Sequence, residues 1–467
     1  MKDLQIPSHI KQLLTAEQAK FYNVIPFEQN LNGDYHLYHK SDAVIDVKKE
    51  IEMLLGNPIA FEKVTEDFFN RCLAFNYRVN SDVKASKLNV DEDVVDEIIK
   101  AAQNVKTSDI HIEPLKKETR IRFRIDGALK VFYKLQINEH PLLVNKIKIK
   151  ANLNISEKRR NQDGRISMKS GGSNALDIRV SCLPSLHGEK IVMRLLESEQ
   201  ENVDIFKVGF SDKQLEVYKK AYNKSNGIIL ISGPTGSGKT TTLYATLKEL
   251  NKEGVNILTV EDPIEYTLDG INQVQVKQDI GFDFAAALKT FLRQDPDIIM
   301  VGEIRDQETA QMAVKASLTG HLVLSTIHTN SALGTIDRLK DMGIPSYLIS
   351  STLNLSVAQR LVRLLCDNCR REVDSPIDWT GMDQKSITSH AEPEGCVECH
   401  YTGYRGRTAL FELIEMNTEL SQAIKTNQMD YDKFLTKQGF RSLKDQALHL
   451  LKEKKTSFEE IYSLLIE

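Results

Sequence analysis

Residues 233–240 read Gly-Pro-Thr-Gly-Ser-Gly-Lys-Thr and match the pattern G-x-x-x-x-G-K-[ST] at every fixed position. The apolar run Gly227–Ile231 precedes this segment, and the helix-forming stretch Thr240–Leu250 follows it. In that context the glycines leave room for backbone N–H groups to point at phosphate oxygens. The pattern therefore predicts a strand, a phosphate-binding loop and a helix in direct succession, an arrangement typical of an α/β domain with a mainly parallel sheet.

Each part of this loop suits a nucleotide. Lys239 supplies positive charge to the β- and γ-phosphates, and the Thr240 hydroxyl can ligate Mg²⁺. The N-terminus of the following helix also favours an anion. The sequence thus predicts ATP and Mg²⁺ as ligands, with a nucleotide-binding set of Gly233, Pro234, Thr235, Gly236, Ser237, Gly238, Lys239, Thr240 and Thr241.

Carboxylates for the chemistry should lie beyond the carboxyl ends of the strands, where ligands bind in such sheets. The predicted strands are Ile228–Ser232, Asn256–Val260, Asp297–Val301 and Leu322–Thr326, with helices between them such as Phe284–Leu292. Glu303 follows the third strand and is the predicted magnesium ligand. Asp297 opens the same strand, roughly 20 Å away at about 3.3 Å per residue. We therefore expect Asp297 to be a turn or cap residue.

The residue that orients the attacking water is open between two glutamates. Glu261 directly follows the second strand and Glu265 lies four residues later. Either carboxylate can act on a water, and Glu261 is favoured because it is nearer the strand end. His328 follows the fourth strand, where an imidazole could sense the γ-phosphate or play a structural role, whereas a structural role is favoured for His321.

Four of the six cysteines form two Cys-x-x-Cys pairs separated by 26 residues. Such pairs are typical of a tetrahedral thiolate site for Zn²⁺, and a closed shell of four sulfurs indicates a structural role. The predicted zinc ligands are Cys366, Cys369, Cys396 and Cys399.

Composition restricts the class of protein and its expected location. The chain has 467 residues, 41% of them hydrophobic, with a net charge of −4. This balance argues against a protein that coats nucleic acid, and no apolar run approaches the roughly 18–20 residues of a membrane span. The N-terminus lacks the apolar stretch of a signal peptide, so we expect a cytoplasmic protein without a direct membrane span.

The local patterns predict three domains: a small N-terminal domain over residues 1–80, a middle α+β domain over 90–205, and a C-terminal domain over 206–467 with the cysteine insertion at about 366–404. The predicted N-terminal elements are strands at 21–27 (ended by a proline) and 35–38, a helix at 45–55, and a linker at 80–89. In the middle domain we expect a helix from Val94, a strand at 120–125 with a turn at 126–127, and strands at 177–180 and 191–196. After the insertion we expect helices up to Glu467, the last one capped by Ser457 and Glu460.

Several of these segments together resemble the type II secretion and type IV pilus assembly ATPases. The motor domain carries segments similar to that family's Walker A, Asp box, Walker B and His box. The middle domain is similar to the family's second N-terminal domain. The segments that carry the resemblance are 108–114, 122–127, 186–190, 233–240, 259–266, 292–306 and 319–329. Asn161 departs from the pattern, because the family usually has proline there.

The resemblance implies a hexameric ring with a RecA-like motor domain and nucleotide sites between that domain and the middle domain. It also implies roles at the phosphates for His328, Arg179, Arg194, Arg293 and Arg305, and it supports Glu261 as the water-positioning residue. The implied motor drives pilin or pseudopilin subunits from the cytoplasmic face of the inner membrane. It would bind the membrane platform and cytoplasmic-domain proteins of the machine through its N-terminal domain. The cysteine insertion resembles the family's zinc subdomain, which favours assembly and secretion motors over pilus retraction motors.

Two alternatives stay open. A nucleic-acid-translocating motor would use the basic stretches Lys146–Lys150 and Lys158–Arg160 as a groove, although no aromatic residues interleave them. A solvated or inter-subunit face is the favoured interpretation of these lysines, so no nucleic-acid partner is expected. The second alternative is a nucleotide-regulated scaffold without turnover, which the joint presence of Lys239, Thr240, Glu261 and Glu303 disfavours. The choice between a secretion system and a pilus stays open.

Overall fold

The computed structural model describes most of residues 6–73 and then residues 93–169, 175–196, 204–374, 387–426 and 441–466. The chain divides into two compact units. The first comprises Met1–Leu195 with Leu364–Gly406, and the second comprises Leu196–Arg363 with Arg407–Glu467. The linker predicted at residues 80–89 lies outside the described residues.

The N-terminal segment forms a three-stranded sheet with short helices. Its described elements are α1 (Ala16–Tyr22), β1 (Val24–Gln29), β2 (Tyr35–His39), α2 (Lys48–Leu55) and β3 (Ile59–Lys63), with the strands in the order β1-β2-β3. The predicted strand at 21–27 is wrong at both ends, because Phe21 and Tyr22 belong to α1 and Pro26 lies inside the strand. β1 is an edge strand with a register shift after Pro26, a position where a missing N–H is tolerated.

The middle of the chain forms a six-stranded sheet that contains the strands predicted at 120–125, 177–180 and 191–196. Its elements are α3 (Val94–Asn104), β4 (Asp109–Pro114), β5 (Glu118–Ile125), β6 (Ala128–Gln136), α4 (His140–Lys150), β7 (Gln162–Lys169), β8 (Ala175–Ser185) and β9 (Gly188–Leu196), with the strands in the order β6-β5-β4-β9-β8-β7. Buried and partly exposed positions alternate along β5. One face of the sheet therefore packs against the helices, and the other carries charged side chains.

The second unit contains a seven-stranded sheet in the order β12-β11-β13-β14-β10-β15-β18. Its strands are β10 (Gly227–Ser232), β11 (Ile257–Glu261), β12 (Asn272–Gln275), β13 (Ile298–Val301), β14 (Leu322–Ile327), β15 (Leu353–Leu365) and β18 (Tyr404–Glu415). The helices are α5 (Asp212–Tyr222), α6 (Lys239–Leu250), α7 (Phe284–Phe291), α8 (Gln307–Leu318), α9 (Gly334–Asp341), α10 (Ser346–Thr352), α11 (Thr418–Thr426), α12 (Leu443–Lys452) and α13 (Phe458–Ile466). β10, β11, β13 and β14 pair in parallel with their recorded neighbours. The predicted α/β class with a mainly parallel sheet is therefore confirmed.

The four strands predicted for this sheet are present, with ends shifted by at most one residue. The expectation of helices alone after the insertion is wrong, because β18 pairs with β15 before the chain turns helical. The insertion separates these neighbouring strands in the sequence and adds its own small pair, β16 (Arg371–Val373) and β17 (His390–Glu392).

The Asp297 carboxylate accepts a 2.7 Å hydrogen bond from the N–H of Asn256, as expected of a turn residue. Ser457 Oγ accepts from the N–H of Glu460, which is one half of the predicted capping box, whereas the Glu460 carboxylate accepts from Arg363.

The basic stretch in α4 differs from expectation, because one of its lysines is fully buried. Lys148 Nζ lies 2.5 Å from Glu189 Oε1 and also donates to the Glu157 carbonyl at 2.7 Å. The Cys182 thiol donates to the same Glu189 oxygen at 3.2 Å, and burial raises the pKa of this thiol to about 12. Lys148 is thus part of a buried ion pair, which contradicts a solvated face and removes it from any basic groove.

We predict that Lys148→Ala destabilises the packing of α4 on the six-stranded sheet by about 3–5 kcal/mol, because it leaves the buried Glu189 carboxylate without its cation. Lys150→Ala is the matched control on the same helix. Its exposed pair with Asp96, at 2.9 Å, should contribute about 1 kcal/mol or less. Hydrogen exchange of the peptide spanning residues 140–150 measures both effects, and equal loss of protection in the two variants would contradict the prediction.

Candidate functional site

The phosphate-binding loop connects β10 to α6 through three glycines with positive φ angles. Gly233, Gly236 and Gly238 have φ values of 147°, 81° and 86°. Residues that carry a Cβ atom rarely adopt positive φ angles. A methyl group on Gly233 would also lie 2.4 Å from the carbonyl oxygen of Gln359 on β15. The loop backbone can therefore take this path only with glycine at that position.

Inside the loop, polar groups point toward the space that its backbone encloses. The Lys239 ammonium donates to the carbonyls of Gly233, at 2.8 Å, and Pro234, at 3.0 Å. Burial lowers the pKa of Lys239, while the nearby charge of Glu303 opposes that shift. The buried Ser237 hydroxyl has no hydrogen-bond partner among the described residues. The Lys239 ammonium and the Ser237 hydroxyl are thus donors without a charged hydrogen-bond acceptor beside a loop of glycines. Such donors suit the phosphates of a nucleotide.

The remaining loop positions agree with this geometry. Pro234, Thr235 and Gly236 are exposed, and Thr240 and Thr241 are half-buried in the first turn of α6. The start of a helix is where backbone N–H groups have no partner within the helix.

Glu303, Arg305 and His328 lie together beyond the carboxyl ends of β13 and β14. The Glu303 carboxylate forms an ion pair with the Arg305 guanidinium, and its Oε2 lies 3.3 Å from His328 Nε2. The two strands are parallel neighbours, so the segments that leave them meet at one edge of the sheet. The hydrogen bond from Arg305 to Glu303 also raises the pKa of Arg305, which therefore stays charged. The structure thus brings three of the predicted site residues together at one edge of the sheet.

Glu261 is held more firmly than the sequence suggested. Its side chain is buried, and Oε1 accepts from Thr259 Oγ1 at 2.6 Å and from Gln273 Nε2 at 3.1 Å. The Tyr244 hydroxyl, on the helix that follows the phosphate-binding loop, donates to Oε2. Burial and the charge of Glu261 raise the pKa of Tyr244, which keeps it a neutral donor. Glu265, the alternative, is half-buried.

The four predicted arginines occupy different surroundings. Arg305 lies beside Glu303, as described, whereas Arg293 Nη1 donates to the carbonyl of Lys289 at 3.0 Å. In the first unit, Arg194 Nε donates to Asp109 Oδ1 at 2.9 Å. Burial favours the neutral form of Asp109, but hydrogen bonds from Arg194 and Ser108 outweigh it and lower the pKa of Asp109.

Arg179 is on β8 of the first unit, opposite Arg165 on β7. His321, in the second unit, forms a hydrogen bond with the carbonyl of Ala316 through Nδ1 at 2.8 Å, in keeping with a structural role.

Two residues beside the phosphate-binding loop escaped sequence reasoning. Gln359 and Arg360 lie on β15 and are buried, at 1% and 6% exposure. Gln359 Oε1 accepts from Thr242 Oγ1 on α6 at 2.9 Å. No motif marks these residues, and the only available signal was a Gln-Arg pair between the apolar pairs Val357–Ala358 and Leu361–Val362.

The four cysteines of the insertion converge in the first unit. Their sulfurs all lie within 4.8 Å of one another. Three of the separations are 3.9 Å (Cys366 to Cys396), 3.7 Å (Cys369 to Cys399) and 3.8 Å (Cys396 to Cys399). These distances exceed the roughly 2.05 Å of a disulfide bond. The described residues therefore form a tetrathiolate cluster that could hold a metal ion.

Backbone N–H groups also point at the sulfurs. Cys399 Sγ accepts from the N–H of Cys396 at 3.1 Å and of Gly403 at 3.3 Å. A hydrogen bond from the Cys369 thiol, with these N–H donors, lowers the pKa of Cys399 well below its usual range. The cluster thus favours a thiolate, the form that binds metal, at Cys399, whereas the same hydrogen bond and burial raise the pKa of Cys369.

Comparison with known proteins shows which family the chain belongs to. The family model described as Type II/IV secretion system protein matches residues 84–463. The type IV pilus assembly ATPase PilB of Myxococcus xanthus (strain DK1622) is 38% identical, over 99% of this chain and 87% of that protein. The type II secretion system protein E of Pseudomonas aeruginosa (strain PAO1) is 39% identical, over 92% of each chain.

The fold has a counterpart among solved structures. A crystal structure of the pilus retraction motor PilT with bound ADP matches with a TM-score of 0.54 and 27% identity, over 79% of this chain and 95% of that one. Within the described residues, no helix has both the length and the apolar character needed to cross a membrane. From its sequence, fold and phosphate-binding loop, the chain belongs to the type II/IV secretion system protein family, and it is an ATPase.

Proposed function

We propose that this ATPase is a hexameric motor that powers pilin or pseudopilin assembly, for type IV pilus extension or for type II protein secretion. The observation that carries the proposal is the grouping of Lys239, Glu303, Arg305 and His328 in the second unit of a chain from this family. A motor of this kind would act at the inner membrane through partner proteins, with residues 1–80 as the partner-binding domain. The relatives include both a pilus assembly ATPase and a secretion protein E, and they support both routes.

The first of the two basic stretches that suggested the nucleic-acid alternative, Lys146–Lys150, gives it no support. Lys148 is engaged with Glu189, and Lys150 pairs with Asp96. The scaffold alternative is excluded by the ATPase assignment.

Magnesium would be held by Thr240 and Glu303. Glu303 Oε2 is buried and accepts no hydrogen bond within the described residues, although His328 Nε2 lies 3.3 Å from it. A carboxylate oxygen in that condition suits Mg²⁺ or a water of its shell. When bound, the ion would neutralise charge on the β- and γ-phosphates.

For the water, we propose Glu261 as the orienting residue. An ionised carboxylate has about four acceptor sites. Thr259 and Gln273 occupy two of them on Oε1 and Tyr244 occupies one on Oε2. The fourth site, on Oε2, can accept from one water, and the three protein donors keep the carboxylate in a single orientation.

Glu261→Gln should therefore retain ATP and lose hydrolysis, whereas Lys239→Ala should lose nucleotide binding or turnover altogether. Phosphate release and binding of a fluorescent ATP analogue measure the two effects. Glu265→Gln is the matched comparison on the same loop. Normal hydrolysis by Glu261→Gln together with inactivity of Glu265→Gln would transfer the role to Glu265.

For the ring, we propose that Arg179 and Arg194 complete the nucleotide site and that ATP closes the first unit onto the second. A guanidinium that stays charged suits the phosphate charge that develops in the transition state. Hydrolysis and phosphate release would remove the phosphate charge that attracts these arginines and favours closure. Neighbouring subunits with different nucleotides would then differ in shape.

Arg194→Ala should leave ATP affinity within a few-fold of wild type and lower turnover by roughly 10²-fold. Arg120→Ala is the control, because Arg120 lies on the same sheet but pairs with Glu113. Turnover per chain of the wild type should also rise with protein concentration as rings form. A wild-type rate in Arg194→Ala, or constant specific activity from monomer to hexamer, would contradict the proposal.

For the cysteine cluster, we propose structural zinc. A tetrahedron with Zn–S bonds of about 2.3 Å has S···S edges of about 3.8 Å. The three measured separations of 3.7–3.9 Å agree with that edge. Four thiolates would leave no open coordination position, so the ion would stabilise the insertion and take no part in hydrolysis.

We expect about one zinc per chain in protein purified without chelator, and its loss in Cys366→Ser with increased proteolysis of residues 364–406, because structural zinc contributes to folding directly. Cys72→Ser is the control, since Cys72 is buried elsewhere and belongs to no such cluster. Elemental analysis that finds no metal in the wild type would refute the zinc site.

A further inference from the structure

Arg360 is a buried cation on β15 that reaches the loop after β14. Its Nη2 donates to the carbonyl oxygen of Asn330 at 3.2 Å and lies 3.4 Å from Asn330 Oδ1. Nη1 donates to the Gln359 carbonyl at 3.3 Å. The planar guanidinium thus binds the main chain and the side chain of one residue in the loop that begins with His328.

The same guanidinium lies against the phosphate-binding loop. A methyl group on Gly233 would lie 3.3 Å from Arg360 Nη1. Burial lowers the pKa of Lys239, and the charge of Arg360 adds to that effect. Arg360 is therefore close to the backbone at Gly233 and to the ammonium group of Lys239, the two groups that are assigned to phosphate binding.

The loop that Arg360 binds is anchored on its far side as well. The Ala332 carbonyl accepts from Ser356 Oγ at 2.8 Å, and the Ala332 N–H donates to Glu412 Oε1 at 2.8 Å. At its near end, His328 lies 3.3 Å from Glu303. Arg360 contacts the loop between these two points, two residues after His328.

We propose that Arg360 is a positioning residue for ATP hydrolysis. Its guanidinium holds the His328–Asn330 segment against the strand beside the phosphate-binding loop, so that His328 and Glu303 keep a fixed place relative to the phosphates. The fork geometry is required, because a lysine ammonium cannot bind both Asn330 oxygens and the Gln359 carbonyl in one plane. A misplacement of about 1 Å in such a site can cost as much as 10²-fold in rate. The proposal rests on the assignment of Glu303 and His328 to the phosphate site.

The test is a double-mutant cycle in the full-length protein. Arg360→Lys retains the buried charge but loses the fork, so kcat should fall at least about tenfold while the dissociation constant for an ATP analogue stays within about threefold of wild type. Asn330→Ala should lower kcat in the same direction. Since Arg360→Lys already loses the contact to Asn330 Oδ1 that Asn330→Ala removes, the double variant should be no slower than Arg360→Lys alone. Arg363→Lys is the matched control, because Arg363 is on the same strand but binds Glu460, and its kcat should stay within about twofold of wild type.

Three results would overturn the proposal: a wild-type kcat in Arg360→Lys, a loss of ATP affinity at unchanged kcat, or multiplying effects of the two substitutions. If Arg360→Lys fails to fold, Arg360→Gln takes its place, because it also lacks the fork, and a wild-type kcat in it overturns the proposal. Glu303→Gln separates the two levels of inference. Inactivity of Glu303→Gln with normal Arg360→Lys refutes only the positioning role, whereas wild-type rates in both refute the assignment of the site.

Discussion

The close packing of the phosphate-binding loop against β15 is the constraint on which the second unit depends. Gly233 leaves no space for a side chain beside the Gln359 carbonyl, and a methyl group on Gly238 would lie 3.0 Å from Gln359 Nε2. Gln359 also accepts a hydrogen bond from Thr242, on the helix that the loop starts. The loop is thus held by β10, which it follows, and by the adjacent strand β15. The glycines are therefore needed for this packing as well as for phosphate binding.

This constraint explains what could be predicted from the sequence and what could not. The loop, the strand ends and the positions of Glu303 and His328 follow from local patterns, because parallel strands place their carboxyl ends at one edge. The partners of Glu261 come from α6 and β12, and those of Asn330 come from β15, at separations that no local pattern reports. The same holds for β18, which follows the cysteine insertion and has no alternating pattern, so that only its pairing with β15 identifies it as a strand.

Two buried acids of the six-stranded sheet, Glu113 and Asp109, follow a different rule, since cations from neighbouring strands contact them. Glu113 on β4 contacts Arg120 and Arg122 of β5 and Lys190 of β9. Burial alone would raise the pKa of Glu113, but the hydrogen bonds from these cations lower it to about 2. A depressed pKa means that the pairing stabilises the fold above the ordinary value near 4.5 and is lost as the pH falls toward 2. The sheet therefore keeps its charged face fixed throughout the neutral range, with Asp109 held in the same way by Arg194.

The cysteine insertion presents the opposite situation, a segment with little core of its own. Among its described residues, Leu365, Ala391 and Tyr404 form a cluster of only three buried side chains. Segments of this size commonly rely on a metal or a disulfide, because their apolar burial is too small to offset the entropy of ordering the chain. The sulfur separations are too long for disulfides and match a tetrahedral thiolate shell. A metal there would link two short turns that lie almost thirty residues apart in the chain, and it would thereby supply the order that the core does not.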